Sequence, residues 1–427
     1  MRIESLWIEN FRSIRKLRLD NLGAYNVFYG ENGAGKSNVL AAIDLLLNAL
    51  GVWTVKPGPH VNAPLQPSDF RMPPYALRAL TIGARLVGLG SGRRAGGRFP
   101  NTLEVVIRGE QMDAPKVTIA TLKSNEADFL SAEAVDLDDH LWRVSQLQRL
   151  ASSFRLLPAV RALGVEAETE AVTGRGADRI AFLLHQGRIK QALVEAVTSP
   201  ELEVRSGLKR MQKVFEGPPL HRPPFDPTFD PAAKRYELNE IRQPEGEDPY
   251  AIPVDLAGLG IQQVYSVMSG IFLGAASIIA IEEPEAHLHP RTTGRQLREL
   301  LKRSVDEGHL DQLFIATHSN LFDLDETGYF LVKNDPDEGT TVERRTDFAE
   351  LDREVFWEPG PARHALTDML RYLPPDTAVF RDAAGGPISA VRMLELLQAD
   401  DPAAVAFVDD VQATAVRSVQ RLATRKK

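Results

Sequence analysis

One short segment of the sequence has the composition of a phosphate-binding loop. Residues 30–37 read GENGAGKS, fit the pattern G-x-x-x-x-G-K-S, and stand between an apolar strand candidate and an apolar helix candidate. Glycines let consecutive backbone N–H groups converge on phosphate oxygens, and a helix N-terminus adds positive potential. We expect Lys36 to reach the β and γ phosphates of ATP and the Ser37 hydroxyl to ligate Mg²⁺. The predicted nucleotide contacts of the loop are Asn32, Gly33, Ala34, Gly35, Lys36, Ser37 and Asn38.

A second segment places adjacent carboxylates at the end of a hydrophobic run. Residues 278–285 read IIAIEEPE, and the run predicts a buried strand. Open α/β sheets bind their ligands at the carboxyl ends of strands. We expect Glu282 to hold Mg²⁺, directly or through water, and Glu283 to orient and deprotonate the attacking water. A general base beside a metal ligand indicates a hydrolase rather than a kinase.

Histidines follow two of the predicted strands. His318 comes directly after the apolar run 312–317, where its ring could hydrogen-bond a γ-phosphate or the catalytic water. His287 and His289 form a His-x-His pair whose rings would face one side of an extended segment. Because no third ligand cluster accompanies this pair, the sequence favours a structural or interface role over a metal site.

The composition is that of a soluble globular protein. The chain has 427 residues, enough for two or three domains, with 43% hydrophobic and 25% charged residues. Its zero cysteines exclude disulfides, thiolate zinc sites and thiol catalysis. We find no apolar run near the roughly 20 residues that span a bilayer and no secretory signal. The expectation is a cytoplasmic protein of a bacterium or archaeon, with no membrane partner.

The charge balance gives only weak support for DNA binding. The net charge of −8 argues against a positively charged coat, although local basic grooves remain compatible with it. Clusters of this kind are usually solvated faces or frayed ends. The three basic clusters are Arg12/Arg15/Lys16/Arg18, Arg93/Arg94/Arg98 and Arg417/Arg421/Arg425/Lys426/Lys427.

The pattern of elements predicts an α/β protein of four segments. Residues 1–124 hold the phosphate loop and β hairpins. Residues 125–233 change to helical periodicity and end in a proline-dense linker, which is incompatible with a helix or an inner strand. Residues 234–335 resume the α/β pattern with the two carboxylates and His318, and residues 336–427 suggest a small, mainly helical appendage.

Three motifs together resemble the ATPase domain of the OLD (overcoming lysogenization defect) group. They are IENFRS at 8–13, EEPEAHLHP at 282–290 and ATHSN at 316–320. That group belongs with RecF and SMC proteins to the ABC-type ATPases, and the resemblance covers about residues 1–335. It implies an ABC-type P-loop fold with a two-lobed β-sheet core. It further implies that Arg12 and Ser13 lie near the nucleotide and that His318 is the switch histidine.

The resemblance also implies a composite site in a head-to-tail homodimer. In ABC-type ATPases a signature loop of one subunit covers the nucleotide of the other. The candidate loop is LAGLGIQQ at 256–263, where the glycines and a following helix suit phosphate binding. Gly258, Gly260 and Gln262 are therefore expected to contact the nucleotide of the partner. Leu259 occupies the place where a serine commonly contacts the γ-phosphate.

Further departures from the family pattern affect the assignment of the site. Most ABC proteins have an aspartate where this chain has Glu282, a variant that is usual in the OLD-like branch. The Q-loop glutamine is open between three residues, Gln66, Gln146 and Gln148.

The C-terminal region is where a nuclease domain would follow in many members of the family. Many OLD proteins continue into a TOPRIM nuclease domain, which needs a strand-end Glu and an Asp-x-Asp turn for two metals. The candidate acids read instead as helix caps and exposed faces, so we predict no nuclease in this chain. These acids are Asp400, Asp401, Asp409 and Asp410.

The biological role follows from family analogy alone. The leading hypothesis is a sensor or regulatory ATPase of a prokaryotic antiphage defence system that controls a separately encoded effector. The alternatives are a RecF-like repair clamp on duplex DNA and a slow-turnover ATP-binding scaffold, which Leu259 would permit. ATPase stimulation by duplex DNA with steep salt dependence would favour the clamp, and a stable complex with the product of the adjacent gene would favour the sensor.

Overall fold

The structure is a computed structural model, and its described residues fall into two compact units, Met1–Asp352 and Arg353–Lys427. Each unit is described by itself. The described residues are 1–55, 65–70, 79–89, 93–94, 97–98, 101–110, 116–124, 127–128, 137–159, 163, 166–167, 176–244, 246–274, 276–324, 328–346, 366, 369–381, 385–398, 401, 403–404, 406–408, 410–411 and 414.

The strands and helices are numbered in chain order. The strands are β1 (Arg2–Phe11), β2 (Ile14–Leu19), β3 (Tyr25–Tyr29), β4 (Ala79–Val87), β5 (Arg93–Arg94), β6 (Gly97–Arg98), β7 (Thr102–Glu110), β8 (Lys116–Ser124), β9 (Ala127–Asp128), β10 (Phe154–Leu157), β11 (Glu166–Ala167), β12 (Phe225–Asp230), β13 (Arg235–Arg242), β14 (Tyr250–Pro253), β15 (Ile278–Glu282), β16 (Gln312–Thr317), β17 (Gly328–Asp335), β18 (Gly339–Arg345), β19 (Ala378–Arg381) and β20 (Pro387–Ser389). The helices are α1 (Lys36–Val55), α2 (Leu137–Ser152), α3 (Gly176–His185), α4 (Ile189–Thr198), α5 (Leu202–Glu216), α6 (Leu259–Leu273), α7 (Arg295–Asp306) and α8 (Ala390–Gln398).

A mixed sheet of twelve strands organises the first unit. Its order is β10-β15-β16-β3-β17-β18-β2-β1-β4-β7-β8-β9. The strands from β10 to β17 run parallel, and the remainder pair antiparallel. The two halves join where Gly339 of β18 pairs with Ile14 of β2. The parallel half therefore brings the carboxyl ends of β3, β15 and β16 to one edge, and these ends lead into GENGAGKS, the two carboxylates and His318. The α/β fold with a two-part sheet is as predicted.

Burial explains why the parallel strands read as continuous apolar runs. Every residue of β3 and of β16 is buried, as expected for strands covered on both faces. The helix α1 packs into the same hydrophobic core through residues such as Val39, Leu46 and Leu50.

The helix α1 corrects one expectation from the sequence. An 18-residue window of this 20-residue helix has a mean hydropathy of 1.6, so length and composition alone would let it cross a membrane. The expectation that no run approaches this length was wrong. More than half of that window (56%) is nevertheless buried against the protein, as in the core helix of a parallel sheet.

The segment 125–233 is less uniformly helical than predicted. It contains α2 to α5, but also β10, which pairs in parallel with β15 beside the two carboxylates. The proline-dense linker also includes β12, which pairs with β13 as the edge of a small second sheet. Pro227 is tolerated there because an edge strand has one side free of the hydrogen-bond ladder.

The predicted boundary at residue 336 falls inside a hairpin. The strand β18 pairs with β17 over seven residue pairs and belongs to the main sheet, so the first unit extends to Asp352. Asp335 begins the turn and its Oδ1 accepts hydrogen bonds from the backbone N–H groups of Asp337 and Glu338. The sequence DPDEG is thus the turn of a hairpin within the first unit. The second unit pairs β19 with β20 and has its own core, which includes Leu370, Met393, Leu397 and Phe407.

Candidate functional site

The predicted phosphate loop connects β3 to the first residue of α1. Gly33 and Gly35 have φ values of 82° and 102°, a region that glycine alone enters without cost. A Cβ on Gly30 would lie 2.2 Å from the carbonyl oxygen of Val332, and one on Gly35 would lie 2.0 Å from Thr340 Oγ1. The β17–β18 hairpin therefore lies directly against the loop and requires glycine at both positions.

Lys36 is held over this loop. Its side chain is 6% exposed, and its Nζ donates hydrogen bonds to the carbonyl oxygens of Gly30 and Glu31, each at 2.8 Å. Burial lowers the pKa of Lys36, and neighbouring carboxylates, Glu283 foremost, partly oppose that shift. A buried cation whose hydrogen-bond partners among the described residues are carbonyl oxygens suits an incoming polyanion.

One cavity brings the first two motifs together. It has a volume of about 230 Å³ and opens over the N-terminus of α1. Glu283 lines it from just beyond the end of β15, so a group bound at the loop would face the candidate base. Its lining is Asn32, Gly33, Gly35, Lys36, Ser37, Asn38, Glu283 and Ala316.

The two carboxylates occupy the end of β15. Glu282 is the last strand residue and pairs with Ala316 of β16. Glu283 then turns out of the strand with φ 42°, and its backbone N–H donates to the carbonyl oxygen of Ala316 at 2.7 Å. Gln263 of α6, which is buried, donates from Nε2 to the carbonyl oxygens of Glu283 and Pro284. This turn is held from both sides in a conformation that costs energy for a non-glycine residue.

His318 lies next to Glu283 at the end of β16. Its Nδ1 is 3.9 Å from Glu283 Oε1 and 3.3 Å from Glu285 Oε1. The structure thus gathers Lys36, Glu283 and His318, which sequence reasoning selected separately, at one edge of the sheet. Sequence reasoning assigned no role to Glu285 or Gln263, although Glu285 lies within the EEPE motif.

A polar network lies behind the loop and includes Arg12 and Ser13. Ser13 Oγ is 2.6 Å from Thr340 Oγ1 and accepts a hydrogen bond from Asn38 Nδ2 at 2.6 Å. Thr340 Oγ1 also donates to the carbonyl oxygen of Ala34. The residues Ser13, Asn38 and Thr340 therefore tie the turn after β1, the first turn of α1 and β18 together.

The Arg12 side chain is held at the edge of this network. Its Nε donates to Asp69 Oδ1 at 2.9 Å, and Nη1 lies 3.4 Å from Asn38 Oδ1. Asp69 is buried and also accepts the backbone N–H of Gln66. Neither Asp69 nor Thr340 was selected from the sequence, because their roles depend on contacts across long stretches of chain.

Replacing Gly35 should be more damaging than replacing Gly33. In Gly33→Ala the new methyl group meets no atom within 4 Å, so the cost is the left-handed backbone alone, about 1–2 kcal/mol. In Gly35→Ala the methyl group also collides with Thr340, so we expect a larger loss in the free energy of unfolding, measured by urea denaturation. The additional variant Thr340→Ala should recover part of the excess loss in Gly35→Ala. Equal losses in the two glycine variants would contradict this packing.

The signature-like loop has an exposed, uncapped helix start. Gly258 precedes α6 and contributes no side-chain cap, and a Cβ there would meet nothing within 4 Å. Leu256 and Leu259 are 79% and 45% exposed. Gly260, in contrast, packs against His287, whose carbonyl oxygen would lie 2.7 Å from a Cβ. This helix end is therefore linked to the loop that follows Glu283.

The prediction for the Gln262 side chain is wrong. That side chain is 5% exposed and directed into its own subunit. Its Oε1 accepts the backbone N–H of Leu163, and its Nε2 donates to the carbonyl oxygens of Asp255 and Ala257. The reason is the helical phase, since the second residue after Gly260 faces the core rather than the exposed surface of Leu256 and Leu259.

The remaining sequence candidates add no group to the lining of the cavity. Gln66, Gln146 and Gln148 do not line it, so the Q-loop assignment stays open. His287 and His289 are exposed, and in the described ranges no three His, Cys, Asp or Glu side chains form a metal-binding group. Asp401 Oδ1 accepts the backbone N–H of Ala403, as a helix cap does, whereas positions 400 and 409 lie outside the described residues.

Acidic partners accompany the basic residues around β2. The ion pairs are Arg12–Asp69, Arg15–Glu338, Lys16–Glu9 and Arg18–Asp20. The side chains of the cluster at 93–98 and the whole C-terminal cluster from 417 lie outside the described residues. The described basic cluster is therefore locally neutralised.

Two family models match the chain. The first is described as an AAA ATPase domain and matches residues 1–70, which include the phosphate loop. The second is described as "AAA domain, putative AbiEii toxin, Type IV TA system" and matches residues 142–325, which include Glu283 and His318.

Curated relatives resemble the chain to different extents. An OLD nuclease of Thermus scotoductus is 27% identical over 95% of this chain and 76% of its own length. An uncharacterized protein of Methanocaldococcus jannaschii is 51% identical over 11% of this chain and 22% of its own length. The DNA replication and repair protein RecF of Acinetobacter baylyi is 36% identical over 14% of this chain and 17% of its own length.

Solved SMC head domains show a looser likeness. The head of Pyrococcus furiosus, bound to the C-terminal domain of ScpA, is 13% identical with a TM-score of 0.48 and covers 83% of this chain and 98% of that one. The head of Thermotoga maritima is 13% identical with a TM-score of 0.42 and covers 81% of this chain and all of that one.

Proposed function

We propose that this chain, an AAA ATPase similar to the OLD nuclease of Thermus scotoductus, hydrolyses Mg²⁺-ATP as a head-to-tail homodimer that regulates a separate effector. The observation that supports hydrolysis most directly is the cavity in which the phosphate loop and Glu283 face each other. A steady-state assay of phosphate release from ATP tests it. Absence of turnover above that of Glu283→Gln would leave only the slow-turnover scaffold.

The roles within the site follow from the side chains present. Lys36 and the backbone N–H groups of the loop would bind the phosphates, and Glu283 would accept a proton from the attacking water. Ser37 and Glu282 offer a hydroxyl and a carboxylate, the oxygen ligands that Mg²⁺ combines with substrate phosphates. When bound, Mg²⁺ neutralises charge on the β and γ phosphates. His318, whose Nδ1 is 3.9 Å from Glu283 Oε1, would meet the γ-phosphate or the water.

The exposed start of α6 supports the dimer. Leu256 and Leu259 present apolar surface beside a helix end with no side-chain cap, an arrangement suited to covering the phosphates of another subunit. This site would complete the cavity that one subunit leaves open on one side.

Charges introduced at this surface should prevent dimerisation. We expect the double variant Leu256→Asp and Leu259→Asp to remain a monomer of 47.2 kDa when ATP is saturating, in a Glu283→Gln background, by light scattering after size exclusion. The matched control is Val55→Asp, which is 73% exposed at the far end of α1, about 30 Å along the helix from the phosphate loop. Dimerisation of the leucine variant would exclude this surface.

The regulatory role is proposed from the relatives. A defence function fits the OLD likeness and the match to a family described in terms of a putative toxin and a toxin–antitoxin system. The second unit, with its own core and with Met369 and Tyr372 65% and 90% exposed, offers a place for the effector. We place the protein in the prokaryotic cytoplasm. Purification of the tagged chain with the product of the adjacent gene tests this assignment.

Neutralisation of the described basic cluster weighs against the RecF-like clamp. Charges already paired within the protein release fewer counterions from DNA, which weakens phosphate-driven binding. That this chain has no nuclease activity stays a prediction. The name OLD nuclease describes the Thermus relative. Strong ATPase stimulation by duplex DNA that disappears with salt would instead favour the clamp.

A further inference from the structure

Glu285 is the acceptor around which the His318 segment is arranged. Its Oε1 accepts hydrogen bonds from Thr317 Oγ1 at 2.5 Å and from the backbone N–H of His318 at 3.1 Å. The same oxygen lies 3.3 Å from His318 Nδ1, closer than the 3.9 Å from that nitrogen to Glu283. Thr317 Oγ1 in turn accepts the backbone N–H of Ser319. One carboxylate oxygen thus fixes the backbone of the histidine and is also the carboxylate oxygen nearer to its ring nitrogen.

The other oxygen of Glu285 shows that this residue does more than hold the backbone. Oε2 is buried and has no hydrogen-bond partner in the described part of the chain, and the side chain as a whole is 11% exposed. An amide oxygen could accept the two bonds at Oε1, so the structural contacts alone do not require a charge. Leaving a buried carboxylate oxygen without a donor is costly. A functional use of the charge would offset that cost.

The chemistry of imidazole supplies such a use. A neutral histidine has one N–H and one unprotonated nitrogen, and the hydrogen bond made by one nitrogen sets the state of the other. A carboxylate on Nδ1 favours the proton there and raises the basicity of Nε2, as carboxylates behind metal-bound histidines do. An attacking water has two protons. Glu283 can accept one, and an unprotonated Nε2 can accept a hydrogen bond from the other.

We propose that Glu285 is a positioning residue that keeps the proton of His318 on Nδ1, so that Nε2 accepts a hydrogen bond from the attacking water. This inference rests on the proposed function, in which Glu283 is the base, and deepens it by choosing the water over the γ-phosphate as the partner of His318. Glu283 takes one proton as the water oxygen bonds to the γ-phosphorus, and the bond from that phosphorus to the β–γ bridging oxygen breaks to release ADP. His318 fixes the direction of the other water proton.

The first test reads the tautomer directly and requires no turnover. Two-bond ¹H–¹⁵N correlation spectra of protein labelled at its nine histidines report which ring nitrogen is protonated, and His318→Gln assigns the resonance. We expect the Nδ1–H form in the wild type and in Glu285→Gln, whose amide oxygen still accepts, and its loss in Glu285→Ala. The control is Glu299→Ala on the exposed face of α7. An Nε2–H ring in the wild type would overturn the proposal.

The second test is a double-mutant cycle on kcat. If Glu285 acts only through His318, Glu285→Ala should lower kcat by about 10- to 100-fold, and adding it to His318→Ala should lower kcat no further. Glu285→Gln should retain part of the rate, and the dissociation constant for ATP should change less than threefold. If the two substitutions lower kcat independently, so that their fold-changes multiply in the double variant, Glu285 does not act through His318. Absence of turnover in the wild type would overturn the proposed hydrolysis, while the tautomer would still decide the state of His318.

Discussion

Lys36→Ala is expected to abolish nucleotide binding at millimolar ATP. In the described part of the chain, the Nζ of Lys36 donates to two carbonyl oxygens, so its positive charge is available to phosphate oxygens. Truncating one partner of a buried, hydrogen-bonded charge pair costs roughly 2–5 kcal/mol. This corresponds to a rise in Kd of about 30-fold to several thousand-fold. Isothermal titration calorimetry with a non-hydrolysable ATP analogue measures it.

The matched control for that experiment is an exposed lysine. Lys16→Ala removes the same side chain from β2, where it is 79% exposed and 3.7 Å from Glu9. The Kd of this variant should stay within a factor of two of the wild type. Comparable weakening in both variants would mean that overall charge, and not the phosphate loop, determines affinity.

Glu283→Gln should retain ATP binding and lose hydrolysis. The amide keeps the shape of the side chain in the cavity but cannot take a proton from water, and general-base catalysis contributes about 10²- to 10⁴-fold to a rate. We expect a fall in kcat of that size with little change in Kd. With ATP no longer consumed, the head-to-tail dimer should accumulate at twice the 47.2 kDa of one chain, seen by light scattering.

A control variant at a surface glutamate distinguishes loss of the base from loss of a negative charge alone. Glu299→Gln makes the same chemical change at an exposed position of α7 and should turn over like the wild type. A Glu283→Gln protein that stays monomeric with saturating ATP would count against the composite site. A Glu283→Gln protein that hydrolyses ATP at the wild-type rate would remove Glu283 as the base.

Local signals explain which elements could be predicted. The strands β1, β3, β15 and β16 show alternation or fully apolar runs, and α1 follows a glycine motif that marks its start. Each signal lies within the element itself. The strand β10 has only four residues, and it pairs with β15, more than 100 residues later, so nothing local marks it. The strand β18 is polar and becomes part of the sheet only through its pairing with β17 and β2.

The residues of the site also fall into two groups, those that a local sequence signal identifies and those that only the fold identifies. Motif residues such as Lys36, Glu283 and His318 could be named because their types and spacing imply chemistry before any fold is known. Thr340 and Asp69 stand outside any motif, and their importance comes from contacts with residues far away in the sequence. Gln262 was misassigned because a motif fixes backbone position but not the side of the helix that faces the protein interior.

The support of the phosphate loop by the β17–β18 hairpin has a consequence for synthesis of the protein on the ribosome. Thr340 bonds to Ala34 across 306 residues, and both neighbours of β3 in the sheet, β16 and β17, come from the same late part of the chain. The GENGAGKS segment therefore leaves the ribosome long before the strands that shape it. A nascent chain that ends at α7 would contain the complete motif and still lack both strands that border β3. We therefore expect competence for ATP only after β16, β17 and β18 have been translated.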